Sequence, residues 1–286
     1  MGYKVYVNGN LVPEDKASIS VFDRSFLYGE GAFETIRAYD RRPAFCDMHY
    51  HRLKTNCDRL KFEMPLDEYA FKHAIVKTIN ANKLKDAYIR ITVSPIGASI
   101  GLGRPAKMGT NFVIFVKPFK GKPQEVYDHG GKVVMIESVF PDDPEIAKVK
   151  STNYLSKMLG RMELTEKRAD EGLVRNRSGL ILEGTATNLF LVKNGTIFTP
   201  PLEDGCLPGI TRWVTIGLTQ ELGIECVESH VVINNIIEAD EIFLTGSTIE
   251  VLPIREVVGV TVKESTPGPV TKRLMTAYSK LAASPK

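Results

Sequence analysis

The chain has 286 residues, of which 43% are hydrophobic and 25% charged, an ordinary balance for one large or two medium globular domains. Its 37 basic and 34 acidic residues give a formal net charge of +3, too even to indicate a nucleic-acid or membrane partner. The 4 cysteines are scattered without a CxxC pair, so no metal site or disulfide framework is predicted, and reduced thiols in a cytoplasmic protein are expected.

The first half of the chain predicts a hairpin followed by helices and strands. Alternation around Asn8-Gly9 indicates a hairpin over residues 3–12. Asp47 is the expected N-cap of a helix that runs to about Leu60, and apolar spacing predicts a second helix over 66–81. Strands are expected at residues 87–93, 112–116 and 132–136.

A segment rich in proline and aspartate, residues 140–144, predicts a break between domains. We therefore expect a small N-terminal α/β domain at 1–139, an interdomain loop at 140–149 and a larger C-terminal domain at 150–286. A helix is expected to open near Lys150, with Tyr154, Leu155, Met158, Leu159 and Met162 on one apolar face.

The remaining elements alternate between strands and helices. A hairpin is expected at 189–199 around Asn194-Gly195, a helix at 209–222 closed by Gly223, a strand at 241–245 and a last helix at 270–281. The mixed order predicts an α+β (mixed α/β) fold in two domains.

Five separated stretches carry residue types suited to chemistry. They are residues 33–39 (FETIRAY), 88–90 (YIR), 150–155 (KSTNYL), 183–190 (EGTATNLF) and 207–212 (LPGITR), with weaker matches at 51–53 (HRL) and 244–250 (LTGSTIE). In order and spacing the chain resembles class IV (fold type IV) enzymes that depend on pyridoxal 5′-phosphate. That family holds branched-chain aminotransferases, D-amino-acid aminotransferases and aminodeoxychorismate lyases. The resemblance runs from about residue 3 to 280, and it implies the D-amino-acid-aminotransferase-like fold and a homodimer or higher homo-oligomer.

The resemblance assigns the central chemistry to three residues. Lys150 is the implied catalytic residue, which binds the cofactor as a Schiff base and then carries the proton between the substrate Cα and the cofactor; such an amine must be partly desolvated to be neutral and nucleophilic. Tyr154 is implied to bond the cofactor's phenolic oxygen. Glu183 is implied to keep the ring nitrogen protonated, since a nearby carboxylate favours the charged form.

The cofactor's phosphate needs hydrogen-bond donors, and its ring needs an apolar wall. A helix that opens at Gly209 offers free N–H groups to an anion. The further cofactor-binding residues implied are Arg52, Leu207, Ile210, Thr211, Ser247 and Thr248.

The substrate pocket separates the members of the family. The implied substrate-binding residues are Tyr28, Phe33, Arg37, Tyr88, Arg90, Thr248 and Ile249, with Tyr39 beside them. Branched-chain members share the YIR triplet, in which the tyrosine helps to hold the α-carboxylate and the arginine meets the distal carboxylate of glutamate. Thr35, however, stands where those members usually carry glycine.

D-amino-acid aminotransferases instead hold the carboxylate with an R-x-H pair. The loop 94–104 has no such pair, and its one basic residue is Arg104. The expected activity is thus ping-pong transamination between a branched-chain or other aliphatic L-amino acid and 2-oxoglutarate. A D-amino-acid aminotransferase and an aminodeoxychorismate lyase stay open as alternatives. A non-catalytic cofactor-binding protein is disfavoured because Lys150 and Glu183 are both present.

Overall fold

The computed structural model describes residues 2–97, 101–104, 108–138, 143–257, 259–262 and 266–284. The chain divides into two compact units. The first takes in the chain through Lys120 together with Val149–Tyr154, and the second takes in Gly121–Lys148 and Leu155–Ser284.

The first unit is built on an antiparallel sheet with helices on one face. The strands are β1 (Lys4–Val7), β2 (Asn10–Pro13), β3 (Ala32–Tyr39), β4 (Arg42–Pro43), β5 (Ala87–Ile96) and β6 (Gly109–Pro118), in the order β2-β1-β6-β5-β3-β4. The helices are α1 (Arg24–Tyr28), α2 (Cys46–Arg59) and α3 (Glu68–Ala81).

The two faces of this sheet differ in chemistry, because successive side chains on a strand point to opposite sides. One face carries Ile36, Ile89 and Ile91 and packs against Leu53 of α2 and Ile75 of α3 in a single apolar core. The other face carries aromatic and charged side chains that are mostly half-buried. The polar face is therefore where this unit can meet a ligand.

The second unit contains a larger mixed sheet. Its strands are β7 (Gly131–Met135), β8 (Glu171–Arg175), β9 (Ile181–Gly184), β10 (Asn188–Lys193), β11 (Thr196–Thr199), β12 (Cys226–Glu228), β13 (Glu241–Gly246), β14 (Glu250–Val257) and β15 (Val260–Thr261). The order is β12-β11-β10-β13-β14-β7-β8-β9; β15 pairs with β14, and β9 also meets β10, so the strands from β10 round to β9 close on themselves. Its helices are α4 (Gln124–His129), α5 (Pro144–Ala147), α6 (Leu155–Glu166), α7 (Ile210–Glu221), α8 (Ile233–Glu238) and α9 (Pro269–Ala283).

The sequence-based elements largely agree with these bounds, and the α+β fold class is confirmed. Both hairpins turn at their Asn-Gly pairs, and β1 pairs with β2 as β10 does with β11. Two details were wrong. Asp47 is not the cap of α2, since the N-cap is Phe45 and Asp47 lies in the first turn. Lys150 does not open α6, because that helix begins only at Leu155.

The first boundary between the two compact units lies between Lys120 and Gly121, before the predicted interdomain loop at 140–149. The reason is β7, which pairs with β14 and β8 and so belongs to the second sheet. Residues 140–142 of the predicted loop lie outside the described part of the chain.

The expected apolar face of α6 is present without Tyr154, which precedes the helix, and it is not buried within the described chain. Leu155, Met158, Leu159 and Met162 keep 69%, 52%, 43% and 60% of their surface exposed. Across the described ranges, no helix combines the length and the apolar character needed to cross a bilayer.

Candidate active site

Lys150 is positioned by strand pairing in the first unit. The Phe33 N–H donates to the Lys150 carbonyl at 3.0 Å, and the Thr152 N–H donates to the Gly31 carbonyl at 2.8 Å. The Thr152 hydroxyl adds a bond to the Gly29 carbonyl at 2.8 Å. Residues 149–154 therefore run beside the start of β3 as an extended segment, which fixes the lysine backbone without a helix.

The ring of Phe33 is the point at which three of the predicted site residues meet. The Lys150 ammonium lies 4.6 Å from the ring centroid and the Arg90 guanidinium carbon 3.3 Å from it. The ring of Tyr154 meets it edge-on, with centroids 5.2 Å apart. Phe33 itself is 1% exposed, so this arrangement rests on a fixed platform.

The polar face of β3 and β5 brings the predicted substrate residues into register. Arg90 lies directly opposite Thr35, and Tyr88 lies opposite Arg37. Arg37 is sandwiched by aromatic rings, since its guanidinium carbon is 4.2 Å from the Tyr39 ring centroid and 4.0 Å from that of Phe119. Such stacking holds a guanidinium in a fixed plane.

Arg90 is a half-buried cation on the polar face of the sheet. Burial lowers the pKa of Arg90, while Tyr88, which hydrogen-bonds to it, Tyr154 and Glu34 act in the opposite direction. A half-buried guanidinium gains by accepting an anionic partner. Arg90 thus has the electrostatic character of a carboxylate receptor.

Glu34 is a buried carboxylate on the face of β3 that packs against the helices. Its carboxylate accepts Arg52 Nε and Nη2, each at 2.7 Å, and His49 Nδ1 at 2.7 Å. Burial acts to raise the pKa of Glu34, but Arg52 and His49 outweigh it and hold that pKa far below its ordinary value. For His49, burial lowers the pKa and leaves a neutral ring that donates from Nδ1. Glu34 therefore fixes the orientation of Arg52, the predicted phosphate ligand.

Tyr28 belongs to a separate cluster at the end of α1. Its hydroxyl accepts the Gly101 N–H at 3.2 Å, and Arg24 lies over its ring at 4.9 Å. Arg24 and Arg104 both pair with Glu30. Arg104 is thus already engaged by a carboxylate of the protein; residues 98–100 of the same predicted loop lie outside the described chain.

In the second unit, Glu183 and Leu207 are joined directly. The Leu207 N–H donates to Glu183 Oε2 at 2.9 Å, and Asn188 Nδ2 reaches the Leu207 carbonyl at 2.9 Å and Glu183 Oε2 at 3.4 Å. The other carboxylate oxygen, Oε1, accepts Lys157 Nζ at 2.6 Å. The carboxylate is therefore held in one orientation and already receives a cation.

The predicted phosphate ligands of the second unit lie at a helix start and in a turn. α7 begins at Ile210 after the N-cap Gly209, with no side-chain cap. A Cβ on Gly209 would collide with the Asn188 amide oxygen, so only glycine permits this close approach. Thr211 is buried, and its hydroxyl lies 3.4 Å from that of Tyr278.

The turn joining β13 to β14 carries the remaining predicted ligands, Ser247, Thr248 and Ile249, all half-buried. It is braced by the Ile249 N–H bond to the Gly246 carbonyl at 3.1 Å and by Tyr127, whose hydroxyl donates to the Ile249 carbonyl at 3.3 Å. Uncapped helix N–H groups and hydroxyls suit a phosphate, and a carboxylate that already holds a cation suits a protonated ring nitrogen. The residues present therefore fit pyridoxal 5′-phosphate.

Sequence reasoning missed three residues: Glu34, His49 and Lys157. Glu34 did leave a signal, because it is a carboxylate at an apolar-facing position of an alternating strand. Lys157 left none, since an isolated lysine on a helix is ordinarily solvated.

The other reactive side chains do not form a competing site. Burial raises the pKa of Cys46, Cys57 and Cys206 to about 12, so these thiols stay protonated and unreactive. Among the residues that the structure describes, no cluster of His, Cys, Asp and Glu is suited to a metal ion.

Comparison with known proteins places the chain in a family. The family model for amino-transferase class IV matches residues 31–257. A Methanocaldococcus jannaschii protein with a provisional branched-chain-amino-acid aminotransferase name is 36% identical over 274 residues, covering 95% of this chain and 93% of that protein.

The fold and the wider family agree with this match. The crystal structure of the Escherichia coli branched-chain amino acid aminotransferase superposes with a TM-score of 0.93 at 32% identity, covering 99% of this chain and 95% of that one. A Bacillus subtilis aminodeoxychorismate lyase is 30% identical, with 96% of this chain and 94% of that protein covered. The predicted resemblance is confirmed: the chain belongs to the class IV aminotransferase family.

Proposed function

We propose that this protein is a pyridoxal 5′-phosphate-dependent aminotransferase that moves an amino group between a branched-chain or other aliphatic L-amino acid and 2-oxoglutarate. The observation that carries the proposal is the Phe33 platform. Lys150 and the half-buried cation of Arg90 lie on the same buried ring. A dicarboxylate whose Cα lies beside the Lys150 amine would therefore find a partner for its second carboxylate at Arg90.

Pyridoxal 5′-phosphate supplies, when bound, an electron-withdrawing ring that makes the amino-acid Cα–H acidic. Lys150 is the general base and acid in this proposal: its amine takes the Cα proton and returns it. The backbone bonds to Phe33 and Gly31 hold the base in place, so little is lost to reorganisation.

The other residues divide the work of binding. Glu183, held by the Leu207 N–H, keeps the ring nitrogen protonated. Arg52, the start of α7 and the 246–249 turn bind the phosphate. Tyr154 contributes the bond to the phenolic oxygen.

Substrate handedness depends on where the α-carboxylate is held. Tyr88 and the Ser247-Thr248 turn are the proposed partners, which presents the Cα proton of an L-amino acid to Lys150. A D-amino acid would need a basic loop on the other side, but Arg104 is already paired with Glu30. The proposal therefore favours L-substrates.

A second copy of the chain is the proposed partner, giving a homodimer or higher homo-oligomer. The support is an apolar surface that a monomer would leave in water. Besides the face of α6, Phe22 and Phe26 of the first unit are 53% and 68% exposed. We also propose a cytoplasmic location, in keeping with its free, protonated thiols, and a role in a reaction sequence that makes or consumes branched-chain amino acids.

The test is a panel of L- and D-amino acids with 2-oxoglutarate, in which glutamate is measured, alongside pyruvate release from aminodeoxychorismate. We expect turnover of L-leucine, L-isoleucine or L-valine. Turnover of D-alanine or D-glutamate without L-leucine would make the protein a D-amino-acid aminotransferase. Pyruvate release without glutamate formation would make it a lyase.

A further inference from the structure

Lys157 makes a close contact with the carboxylate that is proposed to govern the cofactor ring. Its Nζ lies 2.6 Å from Glu183 Oε1, and the two side chains are 28% and 8% exposed. Lys157 lies in the first turn of α6, and Glu183 lies in β9. Both belong to the second unit, so the pair is a fixed feature of that unit.

Helix α6 directs two cations toward this sheet. Arg161, four residues after Lys157 and so on the same helical face, lies 3.5 Å from Glu171 Oε1 on β8. The two acids belong to neighbouring strands, since β8 pairs with β9. Lys157 and Arg161 thus form a matched pair of ionic contacts, of which only the first involves Glu183.

The Lys157 ammonium has the chemistry of a protonated ring nitrogen. Each is a cationic N–H donor, and Oε1 is the oxygen of Glu183 to which Lys157 donates, while Oε2 receives the Leu207 N–H and Asn188 Nδ2. A pyridinium nitrogen that binds Glu183 must either share the carboxylate with Lys157 or displace Lys157 from it. Two cations on one carboxylate oxygen repel each other, so displacing the lysine costs less free energy than sharing the oxygen with it.

We propose that Lys157 is a positioning residue that stands in for the cofactor's ring nitrogen, holding Glu183 aligned in the cofactor-free protein and yielding its place when the cofactor binds. The inference rests on the proposed function, because it assumes that Glu183 receives the ring nitrogen. It has two consequences. Lys157 stabilises the cofactor-free protein, and by the same contact it weakens cofactor binding.

The test compares Lys157→Gln with Arg161→Gln, in full-length protein stripped of cofactor. Binding of pyridoxal 5′-phosphate is followed by protein fluorescence, and the thermal midpoint is measured without cofactor. We expect Lys157→Gln to bind about fivefold more tightly than wild type and to melt at a lower temperature without cofactor. Arg161→Gln is expected to change the melting temperature but not the affinity, and Lys157→Arg, which keeps the charge, to bind as wild type does.

A cofactor analogue with carbon in place of the ring nitrogen separates this role from a merely structural one. Its affinity should be the same in wild type and Lys157→Gln, because it presents no N–H to Glu183. Unchanged or weaker binding of pyridoxal 5′-phosphate by Lys157→Gln, or an equal gain for the analogue, would overturn the inference. If wild type bound no pyridoxal 5′-phosphate at all, the proposed function itself would fail.

Discussion

Arg52 and Glu34 form a two-point ion pair, in which Nε lies 2.7 Å from Oε1 and Nη2 lies 2.7 Å from Oε2. The glutamate is fully buried and also receives His49. Its strand neighbours Phe33 and Thr35 point to the polar face of the sheet. Adjacent residues of β3 therefore have different roles: Glu34 binds Arg52 of α2, and Phe33 contacts Lys150 and Arg90 on the polar face.

Breaking this pair should destabilise the protein strongly. Glu34→Gln leaves the Arg52 guanidinium buried without its counter-charge, which costs on the order of 3–5 kcal/mol in the free energy of unfolding. Urea denaturation followed by circular dichroism measures the change. Glu14→Gln is the control, since it removes an exposed contact with Lys117 and should leave the midpoint nearly unchanged. Equal small effects in both variants would contradict the role given to Glu34.

The same cluster should make the protein sensitive to acid. The pKa of His49 lies below its ordinary 6.5 in the folded protein, so between the folded and unfolded values the unfolded chain binds more protons. Stability should therefore be lost as the pH falls below about 6.5, by at most about 1.4 kcal/mol per pH unit. Glu34, whose folded pKa is depressed below 4.5, adds a second loss as the pH falls below that value.

Urea unfolding at a series of pH values checks this dependence. In His49→Gln, which cannot titrate, the decline below pH 6.5 should flatten, while the Glu34 part below 4.5 should remain. An unchanged pH profile would show that His49 is protonated in the folded state.

Lys150 should be the residue to which the cofactor becomes covalently attached. Borohydride reduction of the loaded protein, followed by peptide mapping, should place the label on Lys150 and leave Lys148 and Lys157 unmodified. Lys157 is excluded by its contact with Glu183: if that carboxylate holds the ring nitrogen, the aldehyde lies at the opposite end of the ring. Lys150→Ala should abolish transamination. A label on either other lysine would refute the assignment.

Glu183→Gln should slow the reaction while keeping the shape of the site. The amide no longer favours a protonated ring nitrogen, and losing one such electrostatic contribution costs about 2–4 kcal/mol in the barrier, roughly a hundredfold or more in kcat. Single-turnover kinetics measure the loss. Glu163→Gln on α6, which breaks a contact with Lys167, is the matched control and should retain kcat. Near-normal turnover in Glu183→Gln would make this carboxylate structural.

Arg90 should distinguish dicarboxylate from aliphatic substrates. Arg90→Ala removes the proposed partner of the distal carboxylate, so kcat/KM for glutamate and 2-oxoglutarate should fall about tenfold or more beyond any loss for leucine. Arg104→Ala serves as the control, because that arginine is paired with Glu30. If Arg104→Ala changed the preference and Arg90→Ala did not, the carboxylate would bind at the loop instead.

Local signals were sufficient for much of this fold. The two Asn-Gly turns require little beyond adjacent residues, and they appear where the sequence predicted them. The path around Lys150 could not be predicted in this way. Residues 149–154 are held by Gly29, Gly31 and Phe33, more than a hundred residues earlier in the chain, and this pairing overrides the helical periodicity that continues from Leu155.

In the candidate site, too, sequence motifs predict individual residues but not their partners from distant parts of the chain. The motifs predict Lys150, Arg90 and Glu183 as site residues because their residue types and order are distinctive. The ion pairs of the candidate site could not be predicted in this way. Arg52 pairs with Glu34 and Lys157 pairs with Glu183, and in each pair the two residues are brought together only by the fold. Thr35 lies opposite Arg90, a neighbour that only the strand register reveals.

The segment Val149–Tyr154 belongs to the first unit although the chain on both sides of it belongs to the second. A fragment ending at Lys120 would lack the lysine, and a fragment beginning at Gly121 would carry Lys150 without the strand that holds it. Neither fragment alone can hold Lys150 beside β3, because the two paired segments lie on different fragments. Under the proposed function, activity therefore requires both parts of the chain, and exchange of one unit between relatives would have to preserve the pairing of residues 149–154 with β3.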